Sequence, residues 1–238
     1  MTSFNLLSAE DFLNGQLLLI DKPLGYTSFQ AVNALKWAIM RKFNLKKLKI
    51  GHAGTLDPLA SGLLLICTGK ATKQIATYQG LEKTYTGTFT LGATTPSFDL
   101  ETAIDARFDT AHISNATLEK ARQQFLGQIM QHPPSYSAIK KDGKRLYELA
   151  REGKITPTTA RPVEIFTFEI ASEHFEEDQT IDFTVNCSKG TYIRSLAHDF
   201  GHALNSGAHL SALRRTAIGP YRVDEALTPD EFKTQLCS

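Results

Sequence analysis

Apolar and polar positions follow two different periods along this chain, and the switches between them outline the elements. Leu17 to Ile20 is a continuous apolar run closed by Asp21, Lys22 and Pro23, as in a buried strand. Thr27 and Ser28 supply a helix cap, and Val32, Leu35, Ile39, Met40 and Phe43 recur at helical spacing, so the pattern predicts a helix over 29–43 with one face in the core. The glycines of Gly51 to Gly62 and the Asp57-Pro58 step predict a loop, followed by a short central strand from Leu63 to Cys67. Alternation over Lys83 to Leu91 sets Tyr85, Gly87, Phe89 and Leu91 on one face and Thr86, Thr88 and Thr90 on the other, which turns Tyr85 inward near a strand's start.

Further on, 115–126 reads as a helix stopped at Gly127, and Pro133 and Pro134 break regular structure across His132 to Ser135. Lys144 to Arg151 reads as a basic helix ending at Gly153. Pro162 to Ile170 and Ile181 to Cys187 form the economical antiparallel pair, Thr191 to Leu204 is helical, and His209 to Ala217 is a strand. Thr228-Pro229-Asp230-Glu231 is a capping box that opens a last helix. Strands and helices mix without a βαβ repeat, so the expected class is a single α+β domain.

Composition narrows the function without choosing it. The chain has 238 residues, 42% of them hydrophobic, which suits a large folded core and excludes disorder. No apolar run reaches the roughly 20 residues of a membrane span, and Met1 to Asn14 lacks the layout of a secretory signal, so a cytoplasmic protein with no membrane partner is expected. Cys67, Cys187 and Cys237 are widely spaced and read as reduced thiols. A net charge of +1 hides an uneven distribution: one basic cluster spans Lys36 to Lys49, and another comprises Lys140, Lys141, Lys144, Arg145, Arg151 and Lys154. Such clusters are ordinarily solvated faces, but they also suit phosphate contact.

Three constellations could carry chemistry. Asp57, in the Gly51 to Gly62 loop, would be ionised at neutral pH and could act as a nucleophile, although an isolated Asp-Pro step most often only orders a turn. Arg194 follows the Gly190 turn into a helix, where the dipole disfavours a cation; an anion should hold it, either a carboxylate such as Asp57 or a phosphate. His198 and His202 lie four apart on that helix and echo a metal-binding spacing, but a third ligand is not evident.

These stretches together resemble the bacterial tRNA pseudouridine-55 synthases of the TruB family, over nearly the whole chain. Leu19 to Ser28 is similar to the family's first motif and Gly51 to Leu64 to its second; Lys83-Thr84-Tyr85, Pro133 to Lys140, Gly190 to Arg194 and Leu213 to Thr216 follow in the family's order. Ala53 stands where a threonine is common, and Thr94 to Asp99 follows the family's threonine-and-aspartate pattern loosely.

The resemblance implies a pseudouridine synthase fold: a central mixed, mostly antiparallel sheet flanked by helices, with a basic RNA-clamping insertion at about 132–155. Because the chain ends soon after the Leu213 segment, it also implies a short family form without the C-terminal PUA domain. Asp57 would be the nucleophile, Tyr85 would stack on the target base and take the C5 proton, and Arg194 would pair with Asp57. His52 would fill the space left by the flipped nucleotide, Leu213 would wall the uracil pocket, Lys22 and Pro23 would flank the site, and Asp99 would contact the T-loop. Lys140, Lys144 and Arg145 would grip the RNA backbone.

The implied reaction isomerises uridine 55 in the T-loop of tRNA. Uracil leaves C1′ of the ribose, turns and rejoins through C5, which requires no redox change or group donor, so neither cofactor nor metal is expected. Expected partners are the tRNA T-arm alone, with the protein as a monomer. The rival readings are a non-catalytic tRNA-binding or folding module, a metallohydrolase built on His198 and His202, and a related synthase acting on another RNA or under a guide RNA.

Overall fold

The computed structural model describes residues 6–137, 139–141, 143–154, 157–173 and 175–238, and only the backbone of 140, 141 and 176. In chain order the first elements are α1 (Ala9–Asn14), β1 (Leu17–Lys22), α2 (Ser28–Lys42), β2 (Ile50–His52), β3 (Ala60–Thr68), α3 (Ile75–Gly80), β4 (Lys83–Leu91), β5 (Ala93–Thr94), β6 (Ala106–Arg107) and α4 (Asn115–Gln123). There follow β7 (Gly127–Gln131), β8 (Lys140–Lys141), β9 (Lys144–Arg145), α5 (Leu146–Arg151), β10 (Arg161–Ala171), α6 (Phe175–Asp178), β11 (Thr180–Cys187), α7 (Ile193–Ala203), β12 (Ala208–Ile218), β13 (Tyr221–Arg222) and α8 (Pro229–Cys237). Backbone contacts divide the chain into two compact units, one of Met1–Tyr85 with Leu213–Ser238 and one of Thr86–Ala212, so the division falls within β4 and β12.

In the first unit β3 is central. It pairs antiparallel with β1, from Leu17 opposite Cys67 to Lys22 opposite Gly62, and parallel with β12, Leu213 opposite Ala60 and Arg215 opposite Gly62. Because side chains alternate along a strand, Leu64 and Ile66 join Leu18, Ile20, Val32, Leu35, Ile39, Phe232 and Leu236 in one core, while Leu63 and Leu65 pack with Ala53 and Ile218 on the other face. Burial on both faces explains why this strand reads as an unbroken apolar run. Thr27 caps α2, and Thr228 caps α8 in the capping box expected from the sequence; the reciprocal box that Thr27 makes with Gln30 is a finding of the structure.

In the second unit β10 pairs antiparallel with both β11 and β7. Phe89, Phe125, Phe168, Phe183 and Phe200 form its aromatic core, with Phe89 and Phe183 centroids 4.3 Å apart. Gly201, within α7, is there for packing: a Cβ at that position would lie 2.3 Å from the Ala208 backbone nitrogen.

Several boundaries differ from the sequence pattern. The segment expected as a loop over Gly51 to Gly62 is bracketed by β2 and the start of β3, leaving 53–59 as the loop. The helix expected over 115–126 stops at Gln123, and Gly127 opens β7. The helix expected from Lys144 starts at Leu146, because Lys144 and Arg145 pair with Lys141 and Lys140 in a small hairpin. Among the described residues no helix is long and apolar enough to cross a membrane.

Candidate active site

Asp57 sits, half-buried, in the 53–59 loop, and two segments remote in sequence interlock around it. The Ser28 hydroxyl accepts the Leu56 N–H at 2.8 Å and donates to the Leu56 carbonyl at 3.0 Å. On the other side of Asp57, the Pro58 carbonyl accepts the Gly25 N–H at 2.8 Å, and the Asp57 carbonyl accepts the Ala60 N–H at 3.0 Å. The residues flanking the carboxylate are thus pinned to the turn between β1 and α2.

Lys22 closes that turn. It is fully buried, and its ammonium donates to the carbonyls of Pro23 at 3.0 Å and Tyr26 at 2.6 Å. Burial pushes its pKa down to about 8; the negative charge of Asp57 opposes that shift, Arg215 adds to it and Asp21 opposes it. Lys22, Asp57, Arg215 and Asp21 therefore form one electrostatic cluster.

Arg215 is 1% exposed, with Nε donating to the Leu63 carbonyl at 2.8 Å and Nη2 to the Gly54 carbonyl at 3.0 Å. It ties the start of the loop that carries Asp57, at Gly54, to the β3 strand that follows it, at Leu63. Gly62, at φ +104°, allows β12 to come this close, since a Cβ there would lie 2.3 Å from the Arg215 carbonyl oxygen. Arg214 makes a two-pronged pair with Asp21, at 3.0 and 2.6 Å. Ser28, Arg214 and Arg215 support the loop and turn structurally, and residue pattern alone did not single them out, although alternation along β12 does put Arg215 on the inward face with Ala217.

The remaining expected residues of this unit come from β12, the turn after β1, β4 and β2. Leu213 aligns with Ala60, three positions after Asp57. Pro23 lies in the turn that Lys22 closes, and Tyr85 is buried on β4. His52 ends β2; burial lowers its pKa and the Arg215 charge lowers it further, which favours the neutral ring, and its buried Nδ1 has no hydrogen-bond partner among the described residues.

In the second unit Arg194, 5% exposed, occupies the second position of α7. Its Nε lies 3.6 Å from Asp99 Oδ2 and its Nη1 donates to the Ser97 carbonyl at 3.3 Å. A carboxylate thus holds the cation against the unfavourable helix dipole, as the sequence position required. Asp99 is itself buried, with Oδ1 accepting the Glu101 N–H at 2.9 Å and its carbonyl accepting the hydroxyls of Thr95 and Ser97. Phe98 adopts φ +64°; its carbonyl accepts the Leu210 N–H at 2.9 Å, and its ring stacks on His198 with centroids 3.8 Å apart.

The basic insertion presents Lys144 and Arg145 to solvent, and Arg145 donates to the Tyr147 hydroxyl at 2.9 Å. Lys140 pairs with Arg145 through the backbone, while its side chain, like Ala138 of the same motif, lies outside the described residues.

His198 and His202 bond to each other, Nε2 to Nε2 at 3.1 Å, and burial pushes His198 to about 4. Among the described residues no three His, Cys, Asp or Glu side chains gather in a metal-holding group, so this pair lacks the third ligand a metallohydrolase would need.

Comparison with known proteins adds a lineage. Residues 41–193 match the family model described as TruB family pseudouridylate synthase (N terminal domain), and residues 194–237 match the tRNA pseudouridylate synthase B C-terminal domain. The chain is 58% identical over 231 residues to the tRNA pseudouridine synthase B of Flavobacterium johnsoniae, covering 97% of this chain and all of that protein. Among solved structures, it is similar to a chain in a Cbf5-Nop10-Gar1 complex, with TM-score 0.66, 29% identity and 94% of this chain covered. It also resembles a chain in an H/ACA RNP bound to a substrate RNA containing 2'-deoxyuridine, with TM-score 0.66, 26% identity and 98% covered. It spans 55% and 56% of those two chains, respectively.

Proposed function

Because the chain belongs to the TruB family of pseudouridylate synthases and isomerises uridine to pseudouridine in tRNA, we propose that it acts at position 55 of the T-loop, on a flipped nucleotide, with Asp57 as nucleophile. The observation that carries this reading is the interlock around Asp57. Ser28, Gly25 and Arg215 fix the backbone on both sides of a half-buried carboxylate, and Lys22 supplies a neighbouring positive charge. Such a carboxylate is held in one place, as attack on C1′ of the ribose or C6 of the base requires.

The chemistry balances without an external reagent. The N1–C1′ bond breaks, the C5–C1′ bond forms, the C5 proton leaves to a base and N1 takes up a proton. In this reading Arg194 faces the Asp57 carboxylate and keeps it anionic, while Tyr85 stacks on the extruded uracil and receives the C5 proton. Extruding a stacked base costs a few kcal/mol, which the neutral ring of His52 offsets by occupying the gap. Leu213, beside Ala60 on the parallel strand, walls the uracil pocket, and Lys22 and Pro23 hold its rim.

RNA recognition is read as shape recognition of the T-arm, with Lys140, Lys144 and Arg145 of the insertion against backbone phosphates and Asp99 toward the loop. Unmodified tRNA incubated with the protein and mapped by chemical probing tests the position. One pseudouridine at uridine 55, absent from a transcript carrying cytidine there, is expected; modification at another uridine would overturn the assignment.

A further inference from the structure

The second unit contains an ion pair for which neither the candidate active site nor the expected RNA clamp accounts. Arg151, the last residue of α5, places Nη2 2.6 Å and Nε 3.2 Å from the same Glu101 oxygen, fifty positions away in the chain. Glu101 is also fixed through its backbone, since its N–H donates to Asp99 Oδ1, and Asp99 Oδ2 faces Arg194 Nε. Arg151, Glu101, Asp99 and Arg194 therefore form a continuous polar chain from the basic insertion to the buried guanidinium on α7.

The loop in the middle of this chain is firmly held. Ser97 and Thr95 hydroxyls converge on the Asp99 carbonyl, Ser97 Oγ and Thr102 Oγ1 lie 2.8 Å apart, and Phe98 is pinned by Leu210 and His198. The outer link is the weak one: Arg151 is 60% and Glu101 30% exposed, so solvent screens the pair, and RNA phosphates can compete for the arginine.

We propose that Glu101 is a positioning residue: its carboxylate moors α5 of the basic insertion while its amide fixes Asp99, so that docking of the insertion and orientation of Arg194 are coupled. The mooring stands on observed contacts alone; its consequence for the reaction rests on the reading of Arg194 as the partner of Asp57.

The test compares the full-length protein with Glu101→Gln, Arg151→Gln and the double variant. Hydrogen exchange of the α5 amides in the RNA-free protein should quicken a few-fold in each single variant, and in the double no further than in Arg151→Gln, because both changes break the one ion pair and Arg151→Gln alone also takes the guanidinium from over the Tyr147 ring, 5.3 Å away. With saturating unmodified tRNA, Glu101→Gln should lower the single-turnover rate of pseudouridine formation between two- and tenfold. Its KM should change less than that of Arg151→Gln, which also loses a cation that phosphates can use. Unchanged exchange, additive effects in the double variant, or faster exchange at an unaltered saturated rate would each overturn the proposal. Failure of the Arg194 reading would show separately, as an Arg194→Gln variant that retains the full single-turnover rate.

Discussion

Removing one hydroxyl, in Ser28→Ala, tests how the loop carrying Asp57 is held. Ser28 is 3% exposed, and its Oγ satisfies both the N–H and the carbonyl of Leu56, which is itself buried. A buried polar group deprived of its partner costs about 1–3 kcal/mol, so two backbone groups orphaned together should cost about 3 kcal/mol. For a chain of this size each kcal/mol lowers Tm by roughly 2–4 °C, which predicts a fall of about 6–12 °C by calorimetry. Because Leu56 immediately precedes Asp57, the carboxylate also loses its anchor, and a displacement of about 1 Å lowers the rate roughly a hundredfold. Thr27→Ala is the control: it removes the cap of the same helix, at about 1 kcal/mol, without touching Leu56, and should leave the single-turnover rate near wild type. A Ser28→Ala protein with Tm within 2 °C and a rate within about twofold of wild type would refute the reasoning.

Other consequences follow from the same geometry. Lys22 titrates at about 8 folded against 10.5 in the open chain, so between those values the unfolded state holds more protons and stability rises with pH. Wild type should therefore gain on Lys22→Met in urea unfolding from pH 8 to 10, and a pH-independent difference would contradict the buried charge. Gly62→Ala should cost on the order of 3 kcal/mol or more, read as a large drop in Tm, since φ +104° and the Arg215 carbonyl leave no space for a Cβ. The His198 ring should titrate by NMR near pH 4, as burial and then His202 dictate, and a midpoint near 6.5 would show a solvated ring instead.

What the residue pattern revealed and what it hid divide along physical lines. The long periodic segments were legible because their signal is local: β1, α2, β4 and the capped start of α8 lie where alternation, helical spacing and the Thr-Pro-Asp-Glu box put them. The β8–β9 hairpin was not, since two-residue strands carry no period, and Lys144 and Arg145 of its second strand read as the start of a helix. Within the site, the two motifs around Asp57 were visible one by one. Their interlock was not, because the Ser28–Leu56 bonds depend on how distant segments meet in three dimensions. Arg215 was named within a motif yet not expected to be buried; a charged side chain reads as solvated until Leu63 and Gly54 carbonyls are found to receive it. The need for an anion beside Arg194 could be argued from the helix dipole, whereas the choice of Asp99 required the loop's fold.

The most direct test of the central claim is pseudouridine formation by Asp57→Asn, a substitution that keeps the side chain's size and removes its charge. On unmodified tRNA, with the variant's Tm and tRNA affinity matched to wild type, the account predicts no detectable pseudouridine. Conversion at the wild-type rate by that variant would contradict it.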